Sequence, residues 1–204
     1  MAEFMGRVNF EYLPGATPLD PDESLGLIPK HITLMSQLNT WEQNNILEAE
    51  KWLLGKSFQL DKIASIDFVC QLHRKMFENT WKWAGQFRKS DKNIGCHWLG
   101  ISVALKNLLD DVVFQTNQKI FPVEELALRF HHRLVAIHLF ANGNGRHARL
   151  MTDVFLLSQN RDRFYWGKTQ DIISIGAVRK QYIDALRAAD KGDYSLLKIF
   201  LNVK

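Results

Sequence analysis

The stretch His138-Leu139-Phe140-Ala141-Asn142-Gly143-Asn144-Gly145-Arg146-His147-Ala148-Arg149 separates two runs of helical periodicity, 123–139 and 146–158. Its two glycines and two asparagines can adopt left-handed or tight-turn conformations, which turn successive backbone N–H groups toward one point. A helix starting near Arg146 adds its own free N–H groups and the positive end of its dipole. Arg146 and Arg149, three residues apart, share the first turn of that helix. The combination is a cradle for an oligophosphate. His138 ends the preceding helix facing this loop, where a neutral imidazole can accept a proton from an incoming hydroxyl. The helix C-terminus raises the pKa of such a histidine and the nearby arginines lower it, so the two influences oppose each other.

Outward from the loop, apolar residues recur at three- and four-residue spacings over 33–55 (Leu34, Leu38, Trp41, Ile46, Ala49, Leu53), 65–79 (Ile66, Val69, Leu72, Met76), 103–117, 175–189 and 194–201. Residues 81–100 break the period with Trp81-Lys82-Trp83-Ala84-Gly85 and further glycines, and are expected to form a loop carrying a short β-hairpin. Four of the five prolines, Pro14, Pro18, Pro21 and Pro29, fall in residues 1–32, which are expected to be an extended arm with no compact element. The expectation is a mainly α fold of about six to eight helices in one domain, 33–204, with no internal repeat.

Composition bounds the function. The chain has 204 residues, 46% of them hydrophobic, with 13 Phe and 6 Trp, which excludes disorder. Two cysteines, Cys70 and Cys96, exclude a disulfide scaffold and fit a reducing, cytoplasmic setting. No apolar window is long enough to span a membrane. The net charge of +4 is located in one place: residues 126–152 contain four arginines and no Asp or Glu, and the remainder balances to zero. A nucleic-acid-binding module would use this basicity, but no helix carries a Lys/Arg stripe. A metal site built on His131, His132 and His138 would lack carboxylates and the spacing of a metalloprotease helix.

The string from His138 to Arg149 resembles the signature of the Fic (Fido) superfamily, His-x-Phe-x-Asp/Glu-Gly-Asn-Gly-Arg-x-x-Arg, at every fixed position but one. Leu72-His73-Arg74-x-x-Phe77, Trp83-Ala84-Gly85-x-x-Arg88 and Asn93-Ile94-Gly95 resemble the region of that family's flap. Tyr182-Ile183-x-Ala185-Leu186 with Gly192-Asp193-Tyr194 is similar to its C-terminal helices. The overall pattern, including 38–43 and the proline-rich arm, most resembles the subgroup called mobile mystery protein B.

The resemblance implies a Fic-like helical bundle and transfer of AMP from ATP to a Ser, Thr or Tyr hydroxyl of a target protein, self-modification included. It implies His138 as general base and Gly143, Asn144, Gly145, Arg146 and Arg149 as the phosphate-binding set, with Arg149 on the terminal phosphate. Phe140 would anchor the loop. The flap would be Phe87, Arg88, Lys89, Ser90, Asp91, Lys92, Asn93 and Ile94, pairing main chain to main chain with the target. The one departure is Asn142, where the family has an Asp or Glu that binds Mg²⁺; an amide oxygen is a weaker ligand. That departure leaves open UMP transfer, removal of AMP, phosphorylation, or an inactive interaction module.

Glu42 lies in the apolar row of the 33–55 helix, four residues after Leu38 and four before Ile46. A carboxylate there needs a partner if buried, or else marks the margin of an amphipathic helix. Glu42-Gln43-Asn44 resembles the inhibitory Glu-Gly-Asn of Fic proteins, which implies an inhibitory helix over 33–55 with Glu42 paired to Arg149.

Overall fold

Local capping explains where the major helices begin. The side chain of Ser65 accepts the Phe68 N–H at 3.2 Å and opens a helix, while Gln37 Oε1 accepts the N–H groups of Thr33 and Leu34 from inside the first turn of another. In this computed structural model, which describes residues 18–167 and 176–203, those helices belong to a bundle. Its members are α1 (Pro21–Ser24), α2 (Met35–Leu53), α3 (Leu60–Ile63), α4 (Ile66–Phe77), α5 (Ile101–Asn117), α6 (Val123–Ile137), α7 (Asn144–Ser158), α8 (Ala177–Ala189) and α9 (Ser195–Leu201). A 3-10 turn, Trp98–Gly100, leads into α5. The mainly α fold expected from the spacings is the one observed.

Helices α6 and α7 form the centre: α6 packs on α7 and α5, α7 also meets α4, and α2 lies against α4. Phe130, Leu134, Met151, Val154 and Phe155 fill the space between them, each buried. Burial of such side chains contributes roughly 1.5–3 kcal/mol apiece. Helices α8 and α9 pack on each other and cover α6 through Leu128, Ala185, Leu197 and Leu201. Among the described residues, no helix is long and apolar enough to cross a membrane.

Two expectations change. The described part of the arm is compact: α1 forms at Pro21, Leu27 and Ile32 are buried, and Leu27 makes an antiparallel bridge to Trp81. It therefore acts as a strap over residues 80–83, tied further by Ile28 N–H to the Thr80 carbonyl and Lys82 N–H to the Gly26 carbonyl. Residues 1–17 lie outside the described residues. The hairpin expected within 81–100 is an irregular loop, with no strand pairing across it among the described residues. The ties that replace a ladder come from side chains and from the backbone N–H groups of Arg88 and Cys96. The expected helix 175–189 starts at Ala177; residue 175 is outside the described residues.

Candidate active site

The loop between α6 and α7 is built from its own side chains. Helix α6 ends because His138 turns left-handed at φ 57°, ψ 67°. Asn144 then clasps the loop back on itself: its Oδ1 accepts the Phe140 N–H at 2.9 Å and its Nδ2 donates to the Phe140 carbonyl at 2.7 Å. Gly143 is left-handed at φ 79°, and a Cβ placed there would come within 2.5 Å of the Phe77 ring, so glycine is required by both torsion and space. No side chain caps α7, which starts at Asn144, two residues earlier than the spacing implied. Its first amides are thus free to meet an anion.

Phe140 is fully buried and stacks on His73, with ring centroids 3.7 Å apart. His73 is a further positioning residue. Its Nδ1 accepts the Gly85 N–H at 2.9 Å, which leaves the proton on Nε2 to donate to the Asn142 carbonyl at 3.1 Å. One buried imidazole thereby ties the flap region to the loop. Burial holds its pKa well below the usual histidine value, with the neighbouring His147 adding to the effect. In the sequence His73 stood only as part of a resemblance; nothing local marked it as the bridge, because Gly85 and Asn142 are distant in the chain.

His138 is 5% exposed, and neither ring nitrogen has a hydrogen-bond partner. Burial lowers its pKa to about 4, with the cations of Arg88 and Lys92 pushing the same way and the Val135 carbonyl, outside hydrogen-bonding geometry, opposing them. Desolvation thus decides the contest that the sequence left open. The imidazole is neutral at pH 7, with free lone-pair capacity.

The arginines separate in role. Arg146 Nη1 lies 2.7 Å from Glu42 Oε2, and the other carboxylate oxygen of Glu42 accepts the Trp81 indole N–H at 2.7 Å. Glu42 is 1% exposed, so the buried reading of this carboxylate is the one realised. Its partner is Arg146 where Arg149 was expected. Arg149 turns instead toward α8, with its guanidinium 5.8 Å from the centroid of the Tyr182 ring. Of the four arginines in the positive stretch, Arg129 pairs with Glu125, Arg133 with Asp111 and Arg146 with Glu42. Three of the four are therefore ion-paired, and Arg149 feels the Asp153 carboxylate without a direct ion pair among the described residues.

The flap residues are distributed as follows. Phe87 packs against Phe140 at 5.9 Å. Arg88 is buried under the loop; Ser90 and Lys92 bind the strap carboxylates Asp20 and Glu23. Asp91 accepts the Trp98 N–H, and Lys89, Asp91, Asn93 and Ile94 face solvent. The three histidines weighed as a metal site do not converge: His131 Nε2 meets Tyr182 Oη at 2.9 Å, and His132 Nε2 meets Asp190 at 2.8 Å. Among the described residues no group of three His, Cys, Asp or Glu is placed to hold a metal.

The loop's own fit to Mg²⁺ is poor. Asn142 offers a single neutral side-chain oxygen, which already accepts the Gly143 N–H at 2.6 Å, and the nearby Glu42 is committed to Arg146 and Trp81.

A helical bundle carrying a left-handed histidine, a glycine–asparagine turn and an uncapped arginine-bearing helix defines a Fic-fold domain. The N-terminal Fic domain of Bep8, a VirB-translocated effector from Bartonella sp. 1-1C, has the same fold, with a TM-score of 0.67 at 16% identity over 85% of this chain and 87% of that one. BepC from Bartonella tribocorum, solved with bound AMPPNP, gives a TM-score of 0.64 at 18% identity over 85% and 88% of the two chains. Residues 63–156 match the Fic/DOC family. A protein adenylyltransferase Fic from Nematostella vectensis is 28% identical over 123 residues, 57% of this chain and 29% of that protein. The chain thus spans less than a third of the length of that curated relative.

Proposed function

We propose that this protein transfers AMP from ATP to a Ser, Thr or Tyr hydroxyl of a target protein, with His138 as general base. One observation carries the reading: a neutral, buried imidazole with both nitrogens unpartnered stands at the mouth of a loop that leads into uncapped amides. The adenylyltransferase name of the Nematostella relative and the nucleotide analogue bound to BepC support it.

In the proposed reaction the target hydroxyl gives its proton to a free nitrogen of His138 while its oxygen attacks the α-phosphorus. The bond from that phosphorus to the β-phosphate bridging oxygen breaks, and pyrophosphate leaves. The first amides of α7, with Gly143 and Gly145 leaving the backbone open to close approach, hold the phosphates, and Arg149 takes the terminal one. The side chain of Asn144 shapes the turn through Phe140 and contributes only its backbone N–H. Lys89, Asp91, Asn93 and Ile94 form the face offered to the target. Asn142 would offer a nucleotide-bound Mg²⁺ at most one weak neutral oxygen.

Glu42 acts as a brake by keeping Arg146 away from the phosphates. The proposed brake thus works through the first arginine of the loop, which Glu42 holds, while the second is left for the terminal phosphate.

The test uses ATP labelled at the α-phosphate in one arm and at the γ-phosphate in another, with the target hydroxyl taken from the protein itself or from a lysate. Label retained on protein from the α-position alone is the expected result. Retention of the γ-label would establish phosphorylation instead, and UTP outcompeting ATP would establish UMP transfer.

A further inference from the structure

Arg88 is 3% exposed, and its guanidinium is used almost completely on carbonyl oxygens. Its Nε donates to the His138 carbonyl at 2.6 Å and its Nη1 to the Ser90 carbonyl at 2.7 Å. Its Nη2 donates to the Cys96 carbonyl and, at 3.5 Å, to the Ile137 carbonyl. Its own backbone N–H binds the Leu139 carbonyl at 3.0 Å. Cys96 N–H also binds the Ile137 carbonyl at 3.3 Å. Ile137, His138 and Leu139 are where α6 ends and the chain turns left-handed, so their carbonyls have lost their partners within the helix. One side chain satisfies two of these carbonyls and two from the flap.

This arrangement exceeds what anchoring a surface loop requires. Gly95, held next to Cys96 by the same clasp, leaves so little room that a Cβ would approach His138 Cβ to 2.6 Å. The flap backbone is therefore pressed against the histidine, with Arg88 beneath both. We propose that Arg88 is the positioning residue of the site, holding His138 in the left-handed conformation in which its imidazole stands free of partners. It makes none of its hydrogen bonds to the phosphate loop beyond Leu139, so it acts through His138.

Two cations bear on the imidazole, Arg88 and Lys92, and the second is countered by Asp20 and Glu23 of the strap. Arg88 itself faces the Asp91 carboxylate at 3.6 Å, and removing it takes away one of the two cations that bear on the imidazole, as well as the clasp.

The inference rests on the AMP-transfer reading for its kinetic arm alone. The experiment follows the ring signals of His138 by NMR across pH in wild type, Arg88→Gln and Arg88→Lys, with nucleotide affinity by calorimetry and α-label transfer on the same samples. Arg88→Gln is expected to raise the His138 midpoint from near 4 by about half a unit or more. Its nucleotide affinity should stay within about threefold while transfer falls about a hundredfold, the split of a lost orienting contact. Arg88→Lys restores charge without the fork, so the midpoint should stay low while transfer remains about tenfold or more below wild type. Wild-type transfer by Arg88→Lys, or an unmoved His138 midpoint in Arg88→Gln, would overturn the proposal. If Arg88→Gln does not fold, Arg88→Lys decides by transfer and by whether the His138 backbone signals keep their left-handed signature. Absence of transfer in wild type would count against the reaction, and the NMR arms would still decide the role of Arg88.

Discussion

The phosphate loop and the flap lie against each other but are held by opposite means. The loop's turn closes on itself, through Asn144 to Phe140 and Asn142 to Gly143, over distances of one to four residues, with His73 and Glu42 adding distant ties to Asn142 and Arg146. The flap is held from outside: Arg88 reaches 49 and 50 residues along the chain to Ile137 and His138, and the strap reaches 70 residues to Ser90. A region fixed by local bonds keeps its shape whatever binds it, whereas one fixed by distant side chains can be released piecemeal. That division suits a catalytic loop and a target-receiving flap.

Acid should strike the loop first and hardest. Four buried histidines, His73, His131, His138 and His147, have pKa values below 6.5 in the folded state, three of them around the loop. Each such group favours folding fully above its unfolded pKa and loses that contribution as pH falls toward its folded value. Asp153, raised to about 7 by burial, works the other way and offsets one of them. Unfolding should therefore take up protons on balance between pH 6.5 and 4, so that stability falls as the pH drops through this window. Urea midpoints at pH 7, 6 and 5 would measure this, and a flat profile would dissociate these histidines from the loop's stability.

Asn144→Ala removes the local clasp and leaves the Phe140 N–H and carbonyl buried and unpaired. The expected cost is about 2–3 kcal/mol, with transfer falling about a hundredfold. An equivalent change in the flap, Asp20→Ala with Glu23→Ala, should lower stability by leaving Lys92, whose side chain is only 3% exposed, without its carboxylate partners. It should raise amide exchange across 87–96 and leave 139–146 unchanged. Equal exchange gains in both segments would erase the distinction between the two regions.

Smaller effects sharpen the same picture. Glu42→Gly should increase transfer about tenfold while lowering the melting temperature, since Arg146 and the Trp81 indole lose their acceptor. Asn142→Asp supplies the missing carboxylate and should raise Mg²⁺-dependent transfer a few-fold, read across a Mg²⁺ titration. Equal turnover by both forms would remove position 142 from the metal account.

The contrast between local and distant ties also decides what the sequence disclosed. The longer helices were legible because their apolar spacing and caps are short-range, and the loop's turn was legible because the asparagine bonds that close it span at most four residues, whereas α3 and the support from His73 and Phe77 were not. The compact strap was hidden by prolines that read as extended chain, although Pro21 opens a helical turn. The flap was read as a hairpin because its glycines suit one; the clasp that replaces strand pairing depends on carbonyls freed at the end of α6. The partner of Glu42 was misplaced for a similar reason. Arg146 and Arg149 are neighbours on α7, and only the position of Tyr182 on α8 turns Arg149 away.

The central claim, that His138 drives AMP transfer at this loop, is tested most directly by intact mass of the protein after incubation with ATP and Mg²⁺. Wild type, Glu42→Gly, His138→Ala and the Glu42→Gly, His138→Ala double variant would be compared. The account predicts addition of AMP in Glu42→Gly, less in wild type, and none in either form lacking His138. Addition of AMP that persists without His138 would contradict it.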